Sequence, residues 1–67
     1  MQFNELVNKE IDYYIRECHF TKDELIVFKA LCDDDTRIKI CLDNGYDPKK
    51  VTNLKKRIIL KMRKVIQ

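Results

Sequence analysis

Residues 36–62 read TRIKICLDNGYDPKKVTNLKKRIILKM and predict two helices joined by a tight turn. Asn44-Gly45 is a strong helix stop, because glycine readily adopts the left-handed conformation that ends many helices. Asp47 and Pro48 follow the stop as the N-cap and first residue of a new helix, the positions that these residue types prefer. The stretch therefore predicts a helix, a three-residue turn and a second helix.

The second helix of this pair is predicted to run from Pro48 to the end of the chain. Its apolar residues recur every three or four positions and form one stripe, which consists of Val51, Leu54, Ile58, Met62 and Val65. Most of its basic residues lie away from that stripe. Such a helix buries one face against other helices and presents a basic face to solvent.

The first helix of the pair follows an acidic triplet, Asp33 to Asp35, that we interpret as a turn. Either Thr36 or Asp35 is its predicted N-cap, where negative charge suits the helix dipole. Its apolar residues are Ile38, Ile40, Cys41 and Leu42.

Two more helices are predicted upstream. Apolar residues at helical spacing indicate one over about residues 2–18. Thr21 and Glu24 form a capping-box pattern at the start of the other, over residues 22–32. The expected core face of this second helix consists of Leu25, Phe28, Leu31 and Cys32, with Ile26 and Val27 partly outside it.

These elements predict an all-α, four-helix compact domain that contains a helix-turn-helix. Residues 1–67 are expected to form a single domain, with an N-terminal helix within 1–19 and a tri-helical core over 20–67. One glycine and one proline in the whole chain leave little room for hairpin turns, which favours helices over strands.

Length and composition exclude several classes of function. A chain of 67 residues is too short to enclose a ligand pocket of about 300–1,000 Å³. Since it also lacks an enzyme motif, we expect neither an enzyme nor a cofactor. No apolar run approaches the length of about 20 residues that spans a membrane. The N-terminus has no basic start before an apolar stretch, so no signal peptide is predicted.

The three cysteines, Cys18, Cys32 and Cys41, are odd in number and have no CxxC spacing. This usage fits a reducing cytoplasm better than a small secreted domain with disulfides, so we expect a cytoplasmic protein. Together with His19 the cysteines have no zinc-site spacing. We therefore expect no metal site, and three small buried apolar side chains instead.

The charge is distributed unevenly along the chain. Residues 1–47 hold six basic and all eleven acidic residues, a net charge of −5. Residues 48–67 hold eight basic residues and no acidic one, a net charge of +8. Solvent-exposed helix faces usually mix both signs, so this segment indicates a surface for a polyanion, either nucleic acid or an anionic membrane surface.

Residues 20–62 resemble the helix-turn-helix of LuxR-type regulators and of region 4 of bacterial sigma factors, and they align without a gap. Phe20, Thr21 and Glu24 stand at the family's Leu-Thr-x-x-Glu signature, and Ile40-Cys41 at its Ile-Ala pair. The other matching positions are Gly45-Tyr46-Asp47 for the turn, and Val51, Ile58, Lys61 and Met62 for the last helix. The Gly45-Tyr46 turn before a basic helix is also similar to small sigma-like activators encoded by phages.

Three positions depart from the family's pattern. Asp34 replaces the usual glycine after the first core helix, although aspartate adopts the left-handed conformation more easily than most residues. Asp35 replaces an apolar neighbour, and we expect Ile38 to supply the lost core contact. Asn44 replaces the leucine before the turn glycine.

The resemblance implies a sequence-specific DNA-binding regulator of transcription whose helix 48–66 enters the major groove. The implied recognition residues are Lys49, Lys50, Thr52, Asn53, Lys56 and Arg57, with Thr36 and Arg37 on a backbone phosphate. Asn53 and Arg57 are the best candidates for base edges, because asparagine pairs with adenine and arginine with guanine through two hydrogen bonds.

The expected partner is therefore double-stranded DNA, and no membrane is expected. One module buries limited surface on DNA, so we also expect a second bound protein or a homodimer. The resemblance implies that a homodimer would use the C-terminal helix through Ile59, Leu60 and Ile66. The alternative reading is a protein-interaction module with a sigma-like fold that binds RNA polymerase or another regulator rather than DNA.

Overall fold

The computed structural model describes residues 3–66. A single 3-10 turn over Phe3–Glu5 precedes four α-helices: α1 (Asn8–Cys18), α2 (Lys22–Cys32), α3 (Arg37–Asn44) and α4 (Pro48–Ile66). No strand forms within residues 3–66. The radius of gyration, 11.3 Å, is close to the value of about 11 Å expected of a globular chain of this length. The protein is thus a compact all-α domain of four helices.

The predicted helix ends are confirmed from α2 onward. In the capping box of α2, the Glu24 amide donates to Thr21 Oγ1 at 3.3 Å and the Thr21 amide donates to Glu24 Oε1 at 3.0 Å. Thr36 caps α3 by accepting from the Lys39 amide at 3.2 Å. Asp47 caps α4 through a hydrogen bond of 2.8 Å from the Lys50 amide.

The two turns also adopt the expected backbone conformation. Gly45 ends α3 with φ of 68°, in the left-handed region. Asp34, in the turn after α2, has φ of 64°. This aspartate therefore adopts the left-handed conformation, which aspartate reaches more easily than most residues.

The predicted start of the first helix is wrong. α1 begins at Asn8 rather than near residue 2, and residue 2 itself lies outside the described part of the chain. Val7 has extended backbone and its amide donates to Glu10 Oε1 at 3.1 Å, which starts the helix there. Phe3 still joins the core, because the 3-10 turn places its ring against Phe28 in an edge-to-face pair.

The core is built around α4, which packs against α1, α2 and α3. Val51, Leu54, Ile58 and Met62 are buried and Val65 is half-buried, as the apolar stripe predicts. The other buried apolar residues are Phe3, Tyr14, Cys18, Val27, Phe28 and Ile40.

The predicted core face of α2 needs a correction. Val27 is fully buried, whereas Leu25, Leu31 and Cys32 are only half-buried. Glu24 shares the buried side of α2: it is 2 % exposed and its carboxylate accepts from Lys61 of α4. Because Val27 and Phe28 follow Glu24 by three and four residues, they lie on the same side of the helix and become the centre of its buried face.

The expectations for α3 and the cysteines are only partly met. Ile38 does not replace the lost core contact, because it is 71 % exposed. Ile40 fills the core instead, as the member of α3 that faces α4. Of the three cysteines Cys18 is buried, while Cys32 and Cys41 are half-buried, and all three are free thiols.

No helix within residues 3–66 combines the length and the apolar character needed to cross a membrane.

Candidate nucleic-acid interface

The predicted helix-turn-helix segment consists of α3, the turn over residues 45–47 and the first half of α4. Tyr46, in the turn, donates its hydroxyl proton to Asp23 Oδ1 at 2.8 Å. This hydrogen bond joins the turn to the first helical turn of α2, so α4 begins at a fixed place relative to the rest of the fold. A β-carbon at Gly45 would contact no atom within 4 Å. Glycine therefore suits this position because of its left-handed backbone conformation and not because space is short.

Three of the predicted recognition residues form the centre of the exposed face of α4. Lys49, Asn53 and Lys56 follow one another by four and three residues, which places them in one row along the helix. All three are exposed. Within residues 3–66 neither lysine of this row forms an ion pair. The row is therefore available to a partner.

Lys50 and Arg57 lie on the side of α4 that faces α2. Lys50 Nζ is 3.5 Å from Asp23 Oδ2 and 4.5 Å from the centre of the Tyr46 ring. Hydrogen bonding from Tyr46, together with the charge of Lys50, holds the pKa of Asp23 below its ordinary value. Lys50 and Arg57 are both exposed, but Lys50 is paired with Asp23, whereas Arg57 forms no ion pair within residues 3–66. A shallow depression of about 270 Å³ between them is lined by Asp47, Lys49, Lys50, Asn53, Leu54 and Arg57.

Thr36, Arg37 and Thr52 lie on the opposite side, where α3 meets α4. Arg37 Nη1 donates to Thr52 Oγ1 at 3.4 Å, and the Thr52 hydroxyl donates to the Pro48 carbonyl at 3.0 Å. The Thr36 hydroxyl is already used as the cap of α3. Arg37 keeps donors for a phosphate, and the Thr36 hydroxyl, which only accepts in the cap, keeps its proton to donate. The Thr52 hydroxyl, by contrast, both accepts from Arg37 and donates to Pro48.

The ion pairs reduce the charge that the basic segment offers to a partner. Of the eight basic residues in residues 48–67, Lys50 pairs with Asp23 and Lys61 with Glu24. Glu24 is almost fully buried, and burial alone would raise its pKa. Hydrogen bonds from Lys61 and from the Thr21 amide outweigh burial and hold the pKa of Glu24 below its ordinary value.

Asp23 and Tyr46 belong to this site although sequence reasoning did not place them there. The sequence pattern places Tyr46 only in the turn and does not single out Asp23. Their contact joins residues 23 positions apart in the chain, and no local pattern indicates it.

No metal centre is indicated by the side chains. Within residues 3–66 no three His, Cys, Asp or Glu residues come together as a candidate metal site. Burial raises the pKa of the Cys32 thiol to about 11, which keeps it protonated at neutral pH and makes it a poor ligand.

Comparisons with models of protein families, with curated proteins and with solved structures find no match to this chain.

Proposed function

We propose that this protein is a sequence-specific DNA-binding regulator of transcription that inserts the first half of α4 into the major groove. The supporting observation is the exposed row of Lys49, Asn53 and Lys56 on a capped helix that follows a tight turn. The major groove is about 12 Å wide and admits one such helix. A basic, polar outer face opposite a buried apolar stripe is what this mode of binding requires.

The side chains of this face would divide the work by their chemistry. Asn53 and Arg57 would contact base edges, since each presents paired hydrogen-bonding groups. Lys49 and Lys56 would contact phosphates, which supply affinity but no sequence information. Arg37, at the start of α3, would contact a backbone phosphate beside the groove.

The test is selection of DNA sequences from a random pool by the purified protein, at low and at near-physiological salt. We expect one motif to be enriched, and Asn53→Ala or Arg57→Ala to relax one position of it at a cost of about 1–3 kcal/mol. Lys9→Ala, which removes an exposed lysine of α1, is the matched control and should leave the motif unchanged. Binding that is salt-sensitive but enriches no motif would contradict sequence-specific recognition.

A protein-interaction module is the second candidate, and exposed apolar side chains of α3 favour it. Ile38 and Leu42 are 71 % and 78 % exposed, and they lie one helical turn apart. They border a small depression with Arg37, Cys41 and Pro48, beside the proposed DNA face. In this case the partner would be RNA polymerase or another regulator, and its binding would survive neutralisation of Lys49, Lys50 and Arg57.

A further inference from the structure

The second half of α4 carries a surface that the proposed DNA contact leaves unused. Leu60 and Ile66 are 56 % and 58 % exposed, and Ile59 beside them is half-buried. A shallow depression of about 350 Å³ is lined by Lys56, Ile59, Leu60 and Arg63. We call this surface the α4 end patch, and it comprises Ile59, Leu60, Ile66 and the basic residues Lys56, Arg63 and Lys64.

Most of the patch is separate from the proposed recognition residues. Leu60 follows Asn53 by seven residues, which is about 10 Å along the helix axis. Lys56 is the residue that the two surfaces share. A partner on Leu60 and Ile66 would therefore sit beside DNA rather than in its place.

The charge around the patch is of one sign. Lys56, Arg63 and Lys64 form no ion pair with any acid in residues 3–66, and α4 itself has no acidic residue. An apolar surface with such a rim is matched by apolar side chains flanked by carboxylates, because complementary charge steers and orients association. Like charges facing each other at an interface are costly.

The repulsion between like charges argues against a second copy of this chain as the partner on this patch. A two-fold dimer places the same patch of both subunits face to face. Lys56, Arg63 and Lys64 of one copy would then meet the same cations of the other. A symmetric pairing of α4 ends is therefore disfavoured by charge, although the apolar centre alone would permit it.

The dimensions of the patch match a helix. Ile59 and Ile66 are seven residues apart and lie in one row, about 10 Å along the axis, with Leu60 on the other side of Arg63. Two turns of a partner helix, with apolar residues at i, i+3, i+4 and i+7, cover the same distance. We infer that the α4 end patch docks an amphipathic helix of another protein, one whose apolar stripe is flanked by aspartate and glutamate.

The experiment uses a synthetic 18-residue helical peptide, with leucines at that spacing and glutamates on both flanks, titrated against the whole protein. Binding is followed by fluorescence anisotropy and by chemical shifts of the Leu and Ile methyl groups. A peptide of the same composition with scrambled leucines shows whether charge alone is responsible. Vesicles that contain phosphatidylserine test an anionic membrane as the occupant.

We expect saturable binding of the amphipathic peptide and binding at least about tenfold weaker for the scrambled one. Leu60→Ser and Arg63→Gln should each weaken the binding by about tenfold, since central apolar and charged anchors dominate such interfaces. Leu42→Ser removes a leucine of α3 that is more exposed than Leu60, 78 % against 56 %, and should have no effect on this binding. Selection of a DNA motif is measured on the same variants, and it should be retained in Leu60→Ser.

Several results would overturn the inference. These are absence of saturable binding up to about 1 mM peptide, equal affinity for the scrambled peptide, and loss of binding in Leu42→Ser but not in Leu60→Ser. Tighter association with vesicles would assign the patch to a membrane. A dimer in sedimentation that Leu60→Ser abolishes would assign it to a second copy. Because the peptide experiment contains no DNA, the proposed DNA function can fail while this inference holds, and the reverse.

Discussion

Asp23 and Glu24 are neighbours in the chain, and each forms an ion pair with a lysine of α4, yet the two contacts differ in nearly every other respect. Glu24 is 2 % exposed and its carboxylate receives bonds from Lys61 and from the Thr21 amide. Asp23 is half-exposed, and it accepts from the Tyr46 hydroxyl while Lys50 lies 3.5 Å away.

Burial decides what each pair contributes. A carboxylate that is removed from water depends on its protein partners, so the loss of one partner leaves an expensive group behind. An exposed pair exchanges its partner for water at little cost, and screening weakens it further. We therefore assign the Glu24 pair to the stability of the fold and the Asp23 pair to the properties of the candidate interface.

The largest expected effect is that of Glu24→Ala on stability. The substitution removes the N3 half of the capping box and leaves Lys61, whose side chain is 32 % exposed, without its carboxylate. We expect a loss of about 2–3 kcal/mol in the free energy of unfolding, somewhat below the range for a fully buried pair because Lys61 can turn to water. Urea denaturation followed by circular dichroism measures it.

Glu10→Ala is the matched control for this substitution. Glu10 also accepts a hydrogen bond from the backbone at the start of its helix, but it is exposed and has no lysine partner within residues 3–66. Its loss should cost about 0.5 kcal/mol, as expected of an exposed capping contact. Equal losses in the two variants would show that the cap alone, and not the buried pair, carries the effect of Glu24.

A smaller effect of the same kind is expected at acid pH. The pKa of Glu24 lies below its ordinary value of 4.5 in the folded protein, so the unfolded chain takes up the proton first. The stability from Glu24 is therefore complete above pH 4.5 and is lost as the pH falls through the lowered pKa. In Glu24→Gln this part of the pH dependence should disappear. If the loss of stability at acid pH is the same in Glu24→Gln as in the unmodified protein, other carboxyl groups cause it.

The comparison of the two acids also shows which features of the fold can be predicted from the sequence. Local chemistry predicted the caps at Thr21 and Asp47 and the stop at Gly45, because these depend on residues within one helical turn. The predicted start of α1 was wrong, because hydrophobic periodicity cannot distinguish a 3-10 turn at Phe3 from the helix that follows it.

The candidate site was predictable to the same extent. The exposure of Lys49, Asn53 and Lys56 follows from their place opposite the apolar stripe. The engagement of Lys50 by Asp23 and the burial of Glu24 against Lys61 depend on how α2 crosses α4. That crossing joins Glu24 to a residue 37 positions away, and no local pattern encodes it.

The smallest expected effect concerns DNA and tests the other half of the comparison. Asp23→Asn removes the carboxylate that holds Lys50 and lies beside the proposed interface. If the protein binds DNA as proposed, Lys50 in this variant can contact a phosphate, so the affinity for DNA at low salt should increase. The plot of log affinity against log salt should steepen by about one, the contribution of one added phosphate contact.

Asp12→Asn, which removes an exposed acid of α1, changes the net charge equally and should leave that slope as it is. Tyr46→Phe removes the hydroxyl but leaves Asp23 and Lys50 in place, so it separates the anchoring of the turn from the neutralisation of the lysine. If Asp23→Asn and Asp12→Asn raise the affinity alike with no change of slope, Lys50 gains no phosphate, and Asp23 acts only through the overall charge. A steeper slope in Asp23→Asn alone would make Asp23 a local brake on the electrostatic part of DNA binding.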